Sequence, residues 1–286
     1  MNDITAIILT KNEEVNIERC IKSINKRIKK IIVLDSYSND NTVKIAKKLG
    51  AKIYQHEFQN YALQFNYALD NIQIDTKWVF RLDADEVVTS ELLDEIENKI
   101  KIHSNDDING FLMKYKLIFM GKFLKHGGCY PFVKMTIWKK EFGRFEERDF
   151  GEHVVLKEGK YETFKNDCLH YDFKNITAFI DKHNWYATRE KNDYFDRISM
   201  QQKELYKQAN KVKKIRDNFY YKLPLFFRAK LIYIYKYYFK LGFLDGKEGK
   251  IYAFIQTYFY RFAVDAKIFE RYLDERNREK EKISIN

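Results

Sequence analysis

Apolar and polar positions follow one another in regular blocks through the first eighty or so residues. Residues 4–10 and 31–34 are nearly continuous apolar runs of strand length, as expected of strands buried on both faces of a parallel sheet. Apolar side chains recur at helical spacing over residues 17–24, and the pattern continues with a helix over 43–49, a strand over 51–54, a helix over 61–72 and a strand over 78–82. This alternation predicts an α/β fold with a mostly parallel sheet.

Polar side chains gather where three of these strands end. Thr10 closes the first strand, Asp35 follows the second, and the strand that begins at Trp78 runs into Asp83 and Asp85. In open parallel sheets, ligands bind outside the carboxyl ends of the strands. The sequence therefore predicts a ligand site along this edge.

The two aspartates separated by one residue favour a divalent metal. Side chains two positions apart at the end of a strand point the same way, and Mg²⁺ or Mn²⁺ takes carboxylate oxygens while leaving positions open for substrate phosphates. Taken alone, Asp83 and Asp85 fit a solvated turn or a helix cap equally well.

Three motifs in this order and spacing resemble the nucleotide-sugar-binding half of family 2 glycosyltransferases. They are LTKNEE at residues 9–14, DSYSNDNT at residues 35–42 and LDADE at residues 82–86. Residues 127–131, 150–153 and 181–190 are similar to the bacterial branch that builds lipopolysaccharide core and other surface polysaccharides. The resemblance implies a GT-A fold, in which a Rossmann-like, mostly parallel sheet binds the donor, followed here by a helical C-terminal extension.

The resemblance also implies a donor site and a metal. Asp85 would bind Mn²⁺ or Mg²⁺ directly, and Asp83 would approach the ribose or the metal through water. The residues implied to bind the donor nucleotide are Thr10, Asn12, Glu13, Asp35, Gln64, Asn66 and Asp83. A UDP-sugar is the favoured donor, although pocket shape rather than motif sets the nucleotide. Gln64 and Asn66 fit exposed polar positions on an amphipathic helix equally well.

An inverting transfer needs a base that takes the proton from the acceptor hydroxyl. Glu152 is the candidate, and His153 either orients it or joins the metal. Relatives often carry these two residues in the reverse order, so the assignment between them stays open. Adjacent residues on a strand face opposite ways, so only one of them is expected to reach the substrate. Asp149 and Glu147 are the fallbacks, and a charged turn is the alternative.

Three later residues are candidates for the acceptor side. His170 fits an acceptor contact, a third metal ligand or a core histidine. His183 and Arg189 fall on an amphipathic helix that Asn175 is expected to cap, where they would face an acceptor groove.

Positive charge and aromatic residues concentrate in the C-terminal part. Residues 1–173 hold 27 basic and 27 acidic residues, whereas residues 174–286 hold 25 and 14. Residues 219–262 contain 17 Phe and Tyr interleaved with Lys and Arg. Such helices suit an anionic membrane surface, and the longest uncharged run among them, ten residues, is too short to span a bilayer. The alternative is a packed helical subdomain; nucleic acid is not expected, because zinc-ligand spacing and RNA-binding aromatic signatures are absent from the sequence.

These observations predict three parts. Residues 1–104 bind the donor, residues 105–173 complete the GT-A domain on the acceptor side, and residues 174–286 form a helical extension that contacts a membrane surface or another subunit. The expected activity is inverting, metal-dependent sugar transfer to a lipid-linked saccharide, such as a lipopolysaccharide core or capsule precursor. Three widely spaced cysteines without a secretory pattern favour the cytoplasm, peripheral to the inner face of its membrane. A nucleotidyltransferase and a non-catalytic sugar- or lipid-binding protein are the alternatives.

Overall fold

The computed structural model describes residues 2–146, 153–200 and 220–285. Contacts among them divide the chain into two compact units, which we call the sheet unit, residues 2–118 and 129–172, and the helical unit, residues 119–128 and 173–285. Glu147, Asp149 and Glu152, the three candidate bases, lie outside the described residues. The functional roles predicted for residues 1–104, 105–173 and 174–286 stay predictions.

The sheet unit has the expected α/β class. Its strands are β1 (Asn2–Thr10), β2 (Ile28–Asp35), β3 (Lys52–Gln55), β4 (Trp78–Asp83), β5 (Glu86–Val88), β6 (Ile108–Phe119), β8 (Phe132–Lys139), β9 (Gly143–Phe145), β10 (Val154–Leu156) and β11 (Lys160–His170), with the short β7 (Lys122–Phe123) in the helical unit. The helices are α1 (Ile17–Ile24), α2 (Thr42–Lys48), α3 (Tyr61–Asn71) and α4 (Ser90–Ile102). The strand order is β3-β2-β1-β4-β8-β6-β11-β5, and the first four strands are parallel.

Burial on both faces explains why β1 reads as an almost unbroken apolar run. Ile4 and Ile8 pack on one face with the apolar side of α1, and Ile7 packs on the other with Phe65 and Ala68 of α3. Successive side chains of a strand point to opposite faces, so both sides of β1 must be apolar.

Strand register places the predicted site residues side by side. Thr10 pairs with Asp35 between β1 and β2, and Leu9 pairs with Asp83 between β1 and β4. The three polar strand ends therefore form one edge of the sheet, as the sequence predicts.

The helical unit consists of short segments between two long helices. They are α5 (Ile176–Met200), a 3₁₀ turn (Tyr220–Lys222), α6 (Phe227–Ile234) with a π-helical continuation (Tyr235–Phe239), a 3₁₀ turn (Gly242–Asp245), α7 (Gly246–Ala253), a π-helical segment (Phe254–Phe259) and α8 (Tyr260–Ile285). The side chain of Asn175 accepts from the backbone N–H of Ala178 at 2.9 Å, which confirms the predicted cap of α5. Within the described ranges, no helix is both long enough and apolar enough to cross a membrane.

Candidate active site

Asp35 is fixed by hydrogen bonds at the carboxyl end of β2. Its side chain is fully buried and accepts from the Thr10 hydroxyl at 2.9 Å, from the Ser38 backbone N–H at 2.8 Å and from the Ser38 hydroxyl at 2.5 Å. Burying a carboxylate is costly unless its oxygens are satisfied in this way. Groups at the ends of both β1 and β2 thus fix the position of this carboxylate.

The loops after β1 and β2 hold each other in place. The backbone N–H of Asn12 donates to Ser38 Oγ at 2.8 Å, and Asn12 Oδ1 accepts from the backbone N–H of Asn39 at 3.0 Å. The backbone N–H of Glu13 donates to Thr42 Oγ1 at 2.7 Å. The structure therefore brings Thr10, Asn12, Glu13 and Asp35 together, and their contact with a nucleotide stays a prediction.

Gln64 and Asn66 of α3 are buried, so the alternative that they are exposed surface positions is wrong. Gln64 Nε2 donates to Ser36 Oγ at 3.1 Å, which supports the loop beside Asp35. Asn66 Nδ2 donates to the backbone carbonyl oxygen of Phe145 in β9 at 3.0 Å, and Asn66 Oδ1 accepts from the backbone N–H of Phe145 at 3.1 Å. These contacts are structural, and donor binding by either residue stays a prediction.

A largely buried network of charges surrounds Asp83. Its carboxylate accepts from the Tyr61 hydroxyl at 2.5 Å, from Arg81 at 3.1 Å and from Lys134 Nζ at 2.7 Å. Lys134 Nζ also lies 2.6 Å from the fully buried carboxylate of Glu86. Removing one partner of such a buried pair leaves the other charge uncompensated, which typically costs about 3–5 kcal/mol.

The two carboxylates of this network have different electrostatic environments. Burial alone would raise the pKa of Asp83, but the charges of Arg81 and Lys134 hold that pKa well below its usual range. Burial raises the pKa of Glu86 to about 7, against the opposing charge of Lys134. Asp83 is therefore the carboxylate that stays ionised.

Asp85 belongs to a separate group of potential metal ligands. β4 ends at Asp83, and a turn follows before β5, so strand alternation no longer aligns the two aspartates. Asp85 Oδ2 lies 3.3 Å from His170 Nε2, and one ligand atom each from Asp85, His170 and Asp172 lies within 4.8 Å of the others. Antiparallel pairing of β5 with β11 opposes Glu86 to His170 and so produces this approach.

This donor set suits a divalent cation. Two carboxylates and one imidazole are the ligands expected of Mn²⁺ or a similar ion. Burial lowers the pKa of His170, but the hydrogen bond to Asp85 and the surrounding carboxylates outweigh it and raise this pKa to about 9. A cation at the site would take the place of that proton.

The other predicted residues lie elsewhere in the structure. His153 is exposed and is not among the clustered ligands of the described chain. His183 is buried in the helical unit, where one ring nitrogen lies 2.6 Å from the Phe179 carbonyl oxygen and the other contacts Gln256. The guanidinium of Arg189 lies 4.6 Å from the centre of the Trp185 ring. The contacts of His183 do not favour an acceptor role, which stays a prediction for both residues.

Sequence reasoning missed Asp172, Glu86, Arg81 and Lys134. Arg81 and Lys134 carried a usable signal, because each is a charged residue within a strand that is otherwise largely apolar. Asp172 carried none, since it lies in the irregular segment between β11 and α5 and belongs to none of the motifs.

Comparisons with known proteins identify the family. Residues 5–152 match Glycosyl transferase family 2. An uncharacterized glycosyltransferase of Rickettsia felis is 31% identical over 97% of this chain and 93% of its own length. The lipopolysaccharide core biosynthesis glycosyltransferase LpsC of Rhizobium meliloti is 24% identical over 94% of this chain and 93% of its own length.

A crystal structure of glucosyl-3-phosphoglycerate synthase from Mycobacterium tuberculosis aligns with a TM-score of 0.43 and 16% identity, covering 65% of this chain and 77% of that chain. The family match and the sheet topology agree with the GT-A class that the motifs imply. The chain belongs to glycosyl transferase family 2 and is a glycosyltransferase.

Proposed function

We propose that this enzyme transfers a sugar, with inversion and with the help of Mn²⁺ or Mg²⁺, from a nucleotide-diphosphate donor to a hydroxyl of a lipid-linked saccharide. The observation that carries the proposal is the group formed by Asp85, His170 and Asp172 in the sheet unit that also contains the Asp35 loops. Asp35, held by Thr10 and Ser38, would accept a hydrogen bond from the base of the donor.

The residues have distinct roles in the proposed reaction. Asp85, His170 and Asp172 would hold the cation, which supplies positive charge where negative charge grows on the leaving diphosphate. Arg81 and Lys134 keep Asp83 ionised and hold its carboxylate in place. Glu152 would remove the proton of the acceptor hydroxyl.

Donor binding predicts a thermal shift. UDP, GDP and dTDP are each added with and without Mn²⁺, and the unfolding midpoint is measured. A ligand that binds only the folded state, at about 100 times its dissociation constant, stabilises a protein by about 2.7 kcal/mol. We therefore expect a diphosphate, UDP first, to raise the midpoint when Mn²⁺ is present.

A matched pair of variants locates the effect. Asp35→Asn should reduce the shift, whereas Asp75→Asn makes the same change at an exposed position before the amino end of β4 and should keep it. The proposal of a nucleotide-diphosphate donor would be wrong if no diphosphate raised the unfolding midpoint of the wild-type protein, with or without metal.

For the acceptor, we propose a saccharide on a lipid anchor at the inner face of the cytoplasmic membrane, with the helical unit attached to that surface. Support comes from the excess of basic residues after residue 173 and from the large exposed apolar side chains of the helical unit, such as Tyr238 and Phe239. Exposed apolar patches flanked by lysines are typical of proteins that bind anionic membranes.

Charge reversal tests this attachment. Lys230, Lys236, Lys240 and Lys247 are changed together to Glu, and co-sedimentation with anionic liposomes is measured at low and high salt. Each lysine near the surface contributes about 1 kcal/mol, so binding should fall by more than about tenfold.

The control changes four exposed lysines of the sheet unit, Lys44, Lys47, Lys52 and Lys101, to Glu and so alters the net charge equally. It should retain more binding than the first variant, and both should turn over a soluble acceptor analogue. A wild-type protein that stays in the supernatant at both salt concentrations would contradict the attachment.

A further inference from the structure

The helical unit contains a groove with almost no polar groups. It has a volume of about 360 Å³ and is lined by Ile180, Tyr233, Ile251, Phe254, Ile255 and Phe259, with the exposed Lys250 as the charged lining residue. This volume is near the lower end of the roughly 300–1,000 Å³ usual for small-molecule sites. We call it the apolar groove.

The surroundings of the apolar groove are also apolar and exposed. Residues 227–262 include ten large apolar side chains that are exposed. Ring contacts connect the groove to these exposed side chains. The Tyr233 ring stacks on the Tyr237 ring with 5.3 Å between their centres, and the centre of the Tyr237 ring lies 6.3 Å from that of the exposed Phe243. Exposed apolar side chains that adjoin an apolar groove favour an interaction site.

The charge of this surface specifies the partner. Residues 227–262 contain five lysines and two acidic residues. Both acidic residues are engaged with basic side chains of residues 119–128: Asp245 lies 2.7 Å from His126 Nδ1, and Glu248 lies 3.4 Å from Lys122 Nζ. The surface therefore carries net positive charge and complements an anionic partner.

Chemistry separates a lipid from a protein partner. A protein segment in the groove would bring backbone N–H and C=O groups that need hydrogen-bonding partners, whereas the surface that lines the apolar groove is apolar. A hydrocarbon chain requires no hydrogen-bonding partners, and a phosphate next to that chain would suit Lys250.

We propose that the apolar groove binds one hydrocarbon chain of an anionic phospholipid, whose phosphate is held by Lys250. This inference rests on the proposed attachment of the helical unit to a membrane. It goes further by assigning a lipid-chain site to named residues rather than general attraction to a charged surface.

Brominated lipids test the site, because bromine on an acyl chain quenches tryptophan fluorescence only at short range. The reporter is Phe254→Trp in a Trp185→Phe background, and the matched control is Phe269→Trp in the same background. Phe254 is 47% exposed and lines the groove; Phe269 is 46% exposed on α8 and does not line it. Trp78 and Trp138 are buried in the sheet unit and give both proteins the same background.

With phosphatidylglycerol and phosphatidylcholine vesicles carrying bromine on the acyl chains, we expect emission from Phe254→Trp to fall at least about twofold relative to unbrominated vesicles, because chain contact requires burial below the headgroups. Phe269→Trp should change little. Equal quenching of both reporters would overturn the proposal. So would absence of quenching in a reporter protein that co-sediments with the vesicles. Neither readout depends on sugar transfer, so the groove can fail while the enzymatic proposal stands.

Two further pairs test the contacts. Lys250→Gln should weaken vesicle binding more than Lys247→Gln, because only Lys250 lines the groove. Ile251→Glu should weaken it at least about tenfold, while Ile102→Glu, at an exposed position of the sheet unit, should not. If Ile251→Glu fails to fold, the comparison of Lys250→Gln with Lys247→Gln still tests the proposal. Equal losses of vesicle binding in these two variants would overturn the role of Lys250.

A second copy of this chain is the competing occupant. Light scattering of the lipid-free protein measures its mass, and the lipid proposal expects Ile251→Glu to leave that mass unchanged. A wild-type dimer that Ile251→Glu converts to a monomer would make the apolar groove a protein interface and overturn the proposal.

Discussion

Chelation with EDTA is expected to abolish sugar transfer, and added Mn²⁺ or Mg²⁺ is expected to restore it. The donor diphosphate is already anionic and its negative charge grows as the glycosidic bond breaks, so a cation there stabilises the transition state more than the bound donor. Asp85→Ala should reproduce chelation permanently and lower turnover by about two to three orders of magnitude, the usual effect of removing one such electrostatic stabiliser. Release of nucleoside diphosphate in the presence of acceptor is the measurement.

A variant of His170 distinguishes metal binding from other possible roles of Asp85. His170→Ala should raise the Mn²⁺ concentration needed for half-maximal activity by at least about tenfold, with activity recovered at high metal. Asp75→Ala removes an exposed aspartate and should transfer normally. Full activity in EDTA, or normal transfer by Asp85→Ala, would refute the metal site.

Glu152→Gln is expected to leave donor binding intact and to lower turnover by about two to four orders of magnitude, because an amide cannot take the proton of the acceptor hydroxyl. Donor affinity is read from the thermal shift with nucleotide and Mn²⁺, and turnover from product formation under saturating substrates. Unchanged affinity with lost turnover is the pattern of a missing base.

The neighbouring residues supply the comparison. His153→Ala should have the milder effect, because His153 is not among the clustered ligands of the described residues. The assignment of the base would be wrong if Glu152→Gln turned over at the wild-type rate while Asp149→Asn did not.

The donor-side geometry could be predicted because it follows from local pattern. Parallel strands bring their carboxyl ends to one edge, so polar residues after β1, β2 and β4 must meet there. The hydrogen bond between Thr10 and Asp35 follows directly from the pairing of those residues in neighbouring strands. The sequence was less informative about the contacts of Asn66, because its side-chain amide donates a hydrogen bond to a strand nearly eighty residues later in the chain.

The group of potential metal ligands formed by Asp85, His170 and Asp172 was only partly predictable, because long-range strand pairing brings two of these residues close to the first. Asp85 was evident from the motif, and the resemblance made His170 a candidate third ligand, but Asp172 was not anticipated. His170 and Asp172 approach Asp85 because β11 pairs with β5, a strand of three residues. Pairing between strands this distant in sequence leaves no periodic signal.

The sequence by itself determined the fold class, the family and the edge of the sheet at which the candidate site residues meet, because hydrophobic periodicity and strand-end motifs are local patterns of a few residues. Only the tertiary structure decided which charges meet. Lys134 of β8 joins Asp83 and Glu86, and His170 joins Asp85. It also decided which aromatic residues remain exposed beside the apolar groove. Composition counts charges and rings without regard to position, whereas burial and pairing depend on contacts between residues far apart in the chain.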